Sequence, residues 1–84
     1  MELHERVNKI KTRQDLSQFV GALRADLATN PDRWENPTLD RFLEAIGAWI
    51  EGMEGYYKNT GQPHTDAPTW KTFGDILMAA TMYE

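Results

Sequence analysis

The residue types that usually carry chemistry are few in this sequence, and they are scattered. The two histidines, His4 and His64, lie far apart and lack the close spacing of metal-ligand motifs. Ser17 is the one serine, and it lacks the Gly-x-Ser-x-Gly context of a nucleophile. The chain also has no Cys. We therefore expect a protein that is not an enzyme and that holds no metal and no cofactor.

Three carboxylates, Asp40, Glu44 and Glu51, form the clearest cluster of one chemical type. At about 100° per residue they project from one side of a helix, away from its apolar residues. Paired carboxylates do acid–base work only when burial or close approach separates their pKa values. The sequence favours a solvated face here, with a docking face for a basic partner as the alternative.

The composition limits the chain to one domain over residues 1–84. Its residues are 40% apolar and 11% aromatic, which is enough for a packed core. The absence of a long apolar run predicts a cytoplasmic protein without a signal peptide or a membrane span. Residues 14–84 hold eleven acidic and five basic side chains. This acidic body argues against a nucleic-acid partner.

The spacing of the apolar residues predicts an all-α fold, a compact bundle of three main helices. Thr12 and Asp15 resemble a capping box before the first helix, and Thr38 and Thr69 are suitable N-caps for the next two. The main helices are expected at about 13–29, 39–53 and 70–83, and a short N-terminal helix over 2–11.

The 39–53 helix has an apolar arc of about 160°, wider than the stripe of an ordinary surface helix. This width predicts that the helix lies centrally, between two others. A long connection, 54–69, follows it, and we expect an ordered loop because two adjacent tyrosines lie in it.

One glycine lies inside each long helix: Gly21, Gly47 and Gly74. Each costs about 1 kcal/mol relative to Ala, which favours positions of close backbone approach. Solvent-facing glycines are the alternative.

The predicted loop supplies the first candidate contacts for a partner. Tyr56 and Tyr57 are adjacent, so both cannot face inward on an extended chain, and one is expected to expose its ring. Lys58 and Asn59 would add polar contacts beside it. These four residues predict a protein-binding surface.

Two further pairs are candidates for partner contact. Met78 and Met82 lie about 90° away from the main apolar stripe of their helix, where either the N-terminal segment covers them or a partner does. A homodimer through this methionine face is one such arrangement. Trp34 and Asn36 lie between the first two helices, where Trp34 either anchors the connection or stacks on a ligand.

Three segments carry a resemblance to known sequences: Trp34-Glu-Asn-Pro-Thr-Leu39, Gly55-Tyr-Tyr-Lys-Asn-Thr-Gly-Gln-Pro63 and Pro68-Thr-Trp-Lys-Thr-Phe73. With them the chain resembles a family of short uncharacterised bacterial proteins, a domain of unknown function. The resemblance covers about residues 12–84. It implies a compact α-helical domain from a bacterial or phage-related source, and it brings no activity.

The sequence therefore predicts a small non-enzymatic protein-binding module with an unidentified protein partner. Two alternatives come from other classes. One is an inhibitor of the immunity, antitoxin or anti-defence type, whose acidic surface covers a basic partner. The other is a small-ligand or enzymatic domain with Trp34, Glu35, Asn36 and Tyr57 around a pocket.

Overall fold

The computed structural model describes residues 2–61 and 68–83, and all regular structure in this part of the chain is helical. Its α-helices are α1 (Leu3–Val7), α2 (Arg13–Thr29), α3 (Leu39–Asn59) and α4 (Trp70–Ala80), and a 3-10 turn covers Pro31–Arg33. This confirms the predicted all-α bundle. None of the helices in the described part combines the length and the apolar character needed to cross a bilayer.

The N-termini of the three longer helices follow the capping signals in the sequence. Thr12 and Asp15 form a reciprocal capping box, in which each side chain accepts from the backbone N–H of the other residue. The Asp15 carboxylate also accepts from the Lys11 N–H at 3.0 Å, and this bond, reinforced by those with Thr12, lowers the pKa of Asp15. Thr38 and Thr69 cap α3 and α4 through the third following N–H.

The ends of the helices differ more from the prediction. Asn30 before Pro31 ends α2 where expected. α3 runs six residues past the predicted end at residue 53, and Gly61 follows its cap with a φ of +71°. A glycine in this left-handed conformation is the usual stop after a helix. The predicted loop 54–69 is therefore helical up to Asn59, and residues 62–67 of it lie outside the described residues.

The last helix, α4, is the central element. In the described part of the chain it packs against α1, α2 and α3, whereas α2 and α3 do not contact each other. The prediction that the 39–53 helix lies between two others is therefore wrong. Its apolar arc is wide, but among the described residues α4 is the one helix that packs against it.

The core forms where α1 and α2 meet α4. Its buried residues are Val7, Ile10, Phe19 and Leu23. Gly74 of α4 lies directly under α1, because a Cβ at this position would collide with the Ile10 side chain and lie 3.1 Å from Val7 Cγ2. Gly74 thus allows the close approach predicted for interior glycines. A Cβ added at Gly21 or Gly47 would meet no other atom within 4 Å among the described residues. These two glycines therefore fit the alternative, in which a helix glycine faces solvent.

Candidate binding surfaces

Tyr56 and Tyr57 lie on the last turns of α3 and not in a loop. Successive residues of a helix point about 100° apart, so the two rings separate. Tyr56 is 42% exposed, whereas Tyr57 is only 6% exposed. The structure thus exposes one of the two rings, although helical geometry, rather than an extended chain, separates them. Lys58 and Asn59, on the same turn, are exposed.

Tyr57 connects α3 to α4 through a partly buried polar contact. Its hydroxyl donates to Asp75 Oδ2 at 2.8 Å. The same carboxylate accepts from Lys71 Nζ, with 3.1 Å to each oxygen. Burial, and next the bond to the Asp75 carboxylate, raise the pKa of Tyr57 well above its usual range. This tyrosine serves the fold and does not present its side chain at the surface.

Tyr56 forms one wall of a half-open groove of about 540 Å³ between α1, α3 and α4. The Trp49 ring lies 4.8 Å from the Tyr56 ring and 5.4 Å from the Tyr83 ring, measured between centroids. Met78 and Met82 also line the groove. These five residues define what we call the aromatic–methionine groove. It brings together Tyr56, Met78 and Met82 of the candidates taken from the sequence.

The two methionines of this groove have different surroundings. Met78 packs against the core cluster that contains Val7 and Ile10, so the N-terminal segment covers it. Met82 is exposed. Self-association through this face stays a prediction, and the solution mass of a Met82→Glu variant would test it.

The indole N–H of Trp49 lies at the base of the same region. It is enclosed, and no acceptor among the described residues reaches it. An enclosed donor without a partner costs free energy. Because this N–H is enclosed, a molecule in the groove would reach it only if the side chains around it moved.

Asn36 lies in the connection between α2 and α3 and binds this connection to the C-terminal end of α4. Its side-chain amide donates to the carbonyl oxygens of Ala80 at 3.0 Å and Tyr83 at 2.6 Å. The backbone N–H groups of Glu35 and Asn36 donate to the Thr81 carbonyl. Asn36 is buried. It satisfies carbonyl groups that the last turn of a helix leaves without partners, so its side chain is not available at the surface.

Trp34 also belongs to the fold. Its indole N–H donates to Asp26 Oδ2 at 2.8 Å, and its ring lies 5.8 Å from that of Phe42. It therefore joins α2 to the beginning of α3. Of the residues predicted to surround a pocket, Trp34 and Asn36 line one concave surface. Tyr57 does not line it, because its hydroxyl binds Asp75 in the middle of α4.

A second concave surface, the α2–α3 groove, was not singled out by the sequence. It lies where α2 and α3 both leave α4 without touching each other, and it measures about 310 Å³. Most of its lining is apolar and comes from Val20, Leu23, Leu27, Leu39, Phe42 and Leu77. The wide apolar arc of the 39–53 segment was the signal in the sequence that could have indicated it.

The apolar surface continues along α3 beyond this groove. Leu39, Leu43 and Ile50 are 74%, 55% and 50% exposed. They share one face of the helix, and we call them the exposed α3 stripe. Contiguous exposed apolar side chains of this size are typical of contact sites between proteins.

An acidic ridge borders the exposed α3 stripe. Asp40, Glu44 and Glu51, predicted to share a solvated side, are all exposed, and Glu54 lies on the same side. The ridge thus places four carboxylates along one edge of an apolar surface.

Groups suited to other chemistry are not brought together. Within residues 2–61 and 68–83, no three His, Cys, Asp or Glu side chains are grouped so as to hold a metal ion. His4 and Ser17 are exposed on different helices, and His64 lies outside the described residues.

Comparison with known proteins gives a family and no activity. Residues 12–84 match a family of unknown function, DUF7660. The match covers α2, α3 and α4 and begins after α1. No curated protein and no solved structure matches the chain. Because the match extends over most of the sequence, the chain belongs to DUF7660, a family of unknown function.

Proposed function

We propose that this chain is a small non-enzymatic protein-binding module, and that it contacts its partner through the α2–α3 groove and the exposed α3 stripe. One observation carries the proposal: Leu39, Leu43 and Ile50 are half-exposed or more on a single helix face. Removing such a surface from water is the main favourable term in most protein association. We further propose a bacterial, cytoplasmic setting, supported by the sequence resemblance and by the lack of Cys.

The acidic ridge supports one particular form of this function. An inhibitor that covers a basic partner would use carboxylates at the edge of its contact surface to speed encounter and fix orientation. The ridge lies beside the exposed α3 stripe, so one partner could contact both.

Site-directed cross-linking tests the proposal. Because the sequence has no Cys, a Leu43→Cys variant carries a single thiol for a photoreactive label. We expect a discrete cross-linked product in extracts of the source cell. A second substitution, Leu39→Glu, should remove it. The matched control is Gln14→Cys, at an exposed position on α2 outside the groove.

Two results would contradict the proposed surface. One is the absence of any product from the labelled Leu43→Cys protein. The other is an equal yield from the Gln14→Cys control. Circular dichroism of each variant would confirm that the helices are retained.

The aromatic–methionine groove supports a second candidate function, the binding of a small planar ligand. Its volume of about 540 Å³ is in the usual range of ligand sites, and the rings of Trp49, Tyr56 and Tyr83 line it. Carbon-13 labelling of the methionine methyl groups would test this against a library of aromatic fragments. In NMR spectra, a ligand in this groove should shift the methyl signals of Met78 and Met82 but not the methyl signal of Met53. Equal shifts at Met53, or none at all, would contradict it.

A further inference from the structure

We propose that the partner segment is an amphipathic helix that lies in the α2–α3 groove, with Lys or Arg along the edge of its apolar face that meets the acidic ridge. This inference rests on the proposed protein-binding function, and it specifies the chemistry of the partner.

The spacing of apolar residues on α3 indicates a helical occupant. Leu39, Leu43, Ile46 and Ile50 follow one another at intervals of four, three and four residues. This is the spacing of the seam between two helices that coil around each other. The α2–α3 groove lies beside the seam, so a docked helix would touch α2 through Val20 and α3 through Leu39. Helices commonly bind in such grooves through residues one turn apart.

The described part of the chain leaves three of the four seam residues largely open: Leu39, Leu43 and Ile50 are at least half-exposed, whereas Ile46 is half-buried. In the same stretch of α3, residues 39–50, the side chains that face inward are Phe42, Ala45 and Trp49, which are buried or half-buried. They lie on the order of 100° around the helix from the exposed α3 stripe. The stripe is therefore a second apolar face, additional to the one that holds α3 on the domain.

The charges beside the groove differ on its two edges. The edge formed by α3 carries the acidic ridge, in which Asp40, Glu44, Glu51 and Glu54 are all exposed. The edge formed by α2 carries Arg24, which is also exposed and lines the groove. A docked helix would therefore place basic side chains on the α3 side and a neutral or acidic side chain near Arg24. Such asymmetry fixes which way round the helix lies.

The same charges argue against a second copy of this chain as the occupant. In an antiparallel pair of α3 helices, the edge that carries Asp40 would face the edge that carries Glu54 of the second copy. Like charges at these flanking positions repel. In a parallel pair, the acidic ridge would face the inward side of the other α3, which α4 occupies. We therefore do not expect a second copy of this chain to occupy the α2–α3 groove.

A display library of 20-residue peptides tests the inference without knowledge of the natural partner. Each peptide carries Leu at helical spacing, and its flanking positions are randomised among Lys, Glu, Gln and Ser. Selection on the full chain should enrich Lys along one flank. A selected peptide should bind about tenfold more tightly than its Glu-substituted counterpart, which corresponds to two or three surface ion pairs.

Three variants connect the result to the surface. Glu44→Lys with Glu51→Lys leaves two acidic and two basic side chains on the ridge and should remove the preference for Lys. Leu43→Glu should abolish binding of all selected peptides. Gln14→Glu is the control, because it adds the same single negative charge as Leu43→Glu at a position away from the groove. It should leave the selection unchanged.

The outcomes separate this inference from the proposed function. Peptides that require Leu43 but show no preference for Lys would overturn the inference about the partner's charge. They would still support the proposed binding surface. Peptides that bind the Leu43→Glu variant as tightly as the original chain would overturn both. A dimer that dissociates on Leu43→Glu would also overturn the inference, since a second copy would then be the occupant.

Discussion

The side-chain amide of Asn36 lies between two carbonyl groups at the end of α4. Both of its hydrogen bonds, to Ala80 and Tyr83, join parts of the chain more than forty residues apart. Such a contact closes a long loop, so it acts on the folded state as a whole and not on one helix. It also explains why an asparagine is buried in a small domain, since a buried amide is tolerated when its donors are used.

We predict that Asn36→Ala lowers the free energy of unfolding by about 2–3 kcal/mol, because two carbonyl groups lose a buried donor. Asn36→Asp should lower it at least as much, since a carboxylate would face carbonyl oxygens. Urea titration followed by circular dichroism measures both. Asn59→Ala, at an exposed position, is the control and should stay within about 0.5 kcal/mol of the original chain. Equal effects at both sites would show that the Asn36 contact does not hold the fold.

Tyr57 makes the stability of the fold sensitive to alkaline pH. Its pKa is raised in the folded chain by burial and by Asp75. The unfolded chain therefore loses this proton first, near the ordinary tyrosine pKa of about 10. Above that pH the unfolded state binds fewer protons than the folded one, so stability falls as pH rises.

We predict that the free energy of unfolding declines above pH of about 10 and that Tyr57→Phe removes part of this decline. The variant also loses the bond to Asp75, so it should be less stable near neutral pH. Tyr56→Phe is the matched control, because its hydroxyl is not tied to Asp75 and its variant should keep the alkaline decline. Denaturant titrations from pH 7 to pH 11 give the comparison. If the free energy of unfolding fell with pH at the same slope in the Tyr57→Phe variant and in the original chain, the prediction would be contradicted.

At the scale of elements, α1 and α4 meet at a glycine. Gly74 has no room for a methyl group because Ile10 and Val7 lie against it, whereas Gly47 of α3 faces open space. The two glycines have the same helix propensity. Any difference in the free energy of unfolding between their alanine variants therefore reports on how closely α1 approaches α4.

We predict that Gly47→Ala stabilises the chain by about 1 kcal/mol and that Gly74→Ala destabilises it by about 1 kcal/mol, because overpacking outweighs the gain in propensity. Ile10→Val removes the methyl group nearest to the new Cβ. Gly74→Ala should thus cost less in that background, and a double-mutant cycle by urea titration measures the coupling. Strictly additive effects would show that α1 does not rest on Gly74.

The capping residues explain how much of the fold could be predicted. Thr12, Thr38 and Thr69 each begin a helix where the sequence places them, because a cap is a local interaction of three or four residues. The end of α3 was not predictable in the same way. The helix was predicted to end at about residue 53, but it continues to Asn59, and Gly61 follows its cap with a positive φ.

Long-range packing explains what could not be predicted of the candidate surfaces. The sequence indicates that the apolar arc of α3 is wide, but not which elements cover it, because that depends on where the other helices lie. The same limit applies to Asn36 and Tyr57, which bind partners eighteen or more residues away. The sequence predicted that one of Tyr56 and Tyr57 is exposed but not which one. The structure exposes Tyr56 and places it in one groove with Met82.

At the scale of the whole molecule, the packed core extends beyond the part of the chain that the family match covers. The match begins at residue 12, yet Val7 and Ile10 are buried in the core beside Phe19 and Leu23. Burying one such side chain contributes about 1.5–3 kcal/mol, and a domain of this size has about 4–13 kcal/mol in total. The segment before the matched region therefore supplies a large share of the stability of this chain.

We predict that deletion of residues 2–10 lowers the melting temperature by well over 10 °C, or removes the cooperative transition altogether. Lys11 is kept so that its N–H still binds Asp15 and the start of α2 is not changed. Thermal melts followed by near-ultraviolet circular dichroism would report the packing of Trp34 against the core. Lys9→Ala, in the same segment but exposed, should leave the melt unchanged. If the shortened chain melted within a few degrees of the full one, α2, α3 and α4 would form a complete domain and α1 would be an addition to its surface.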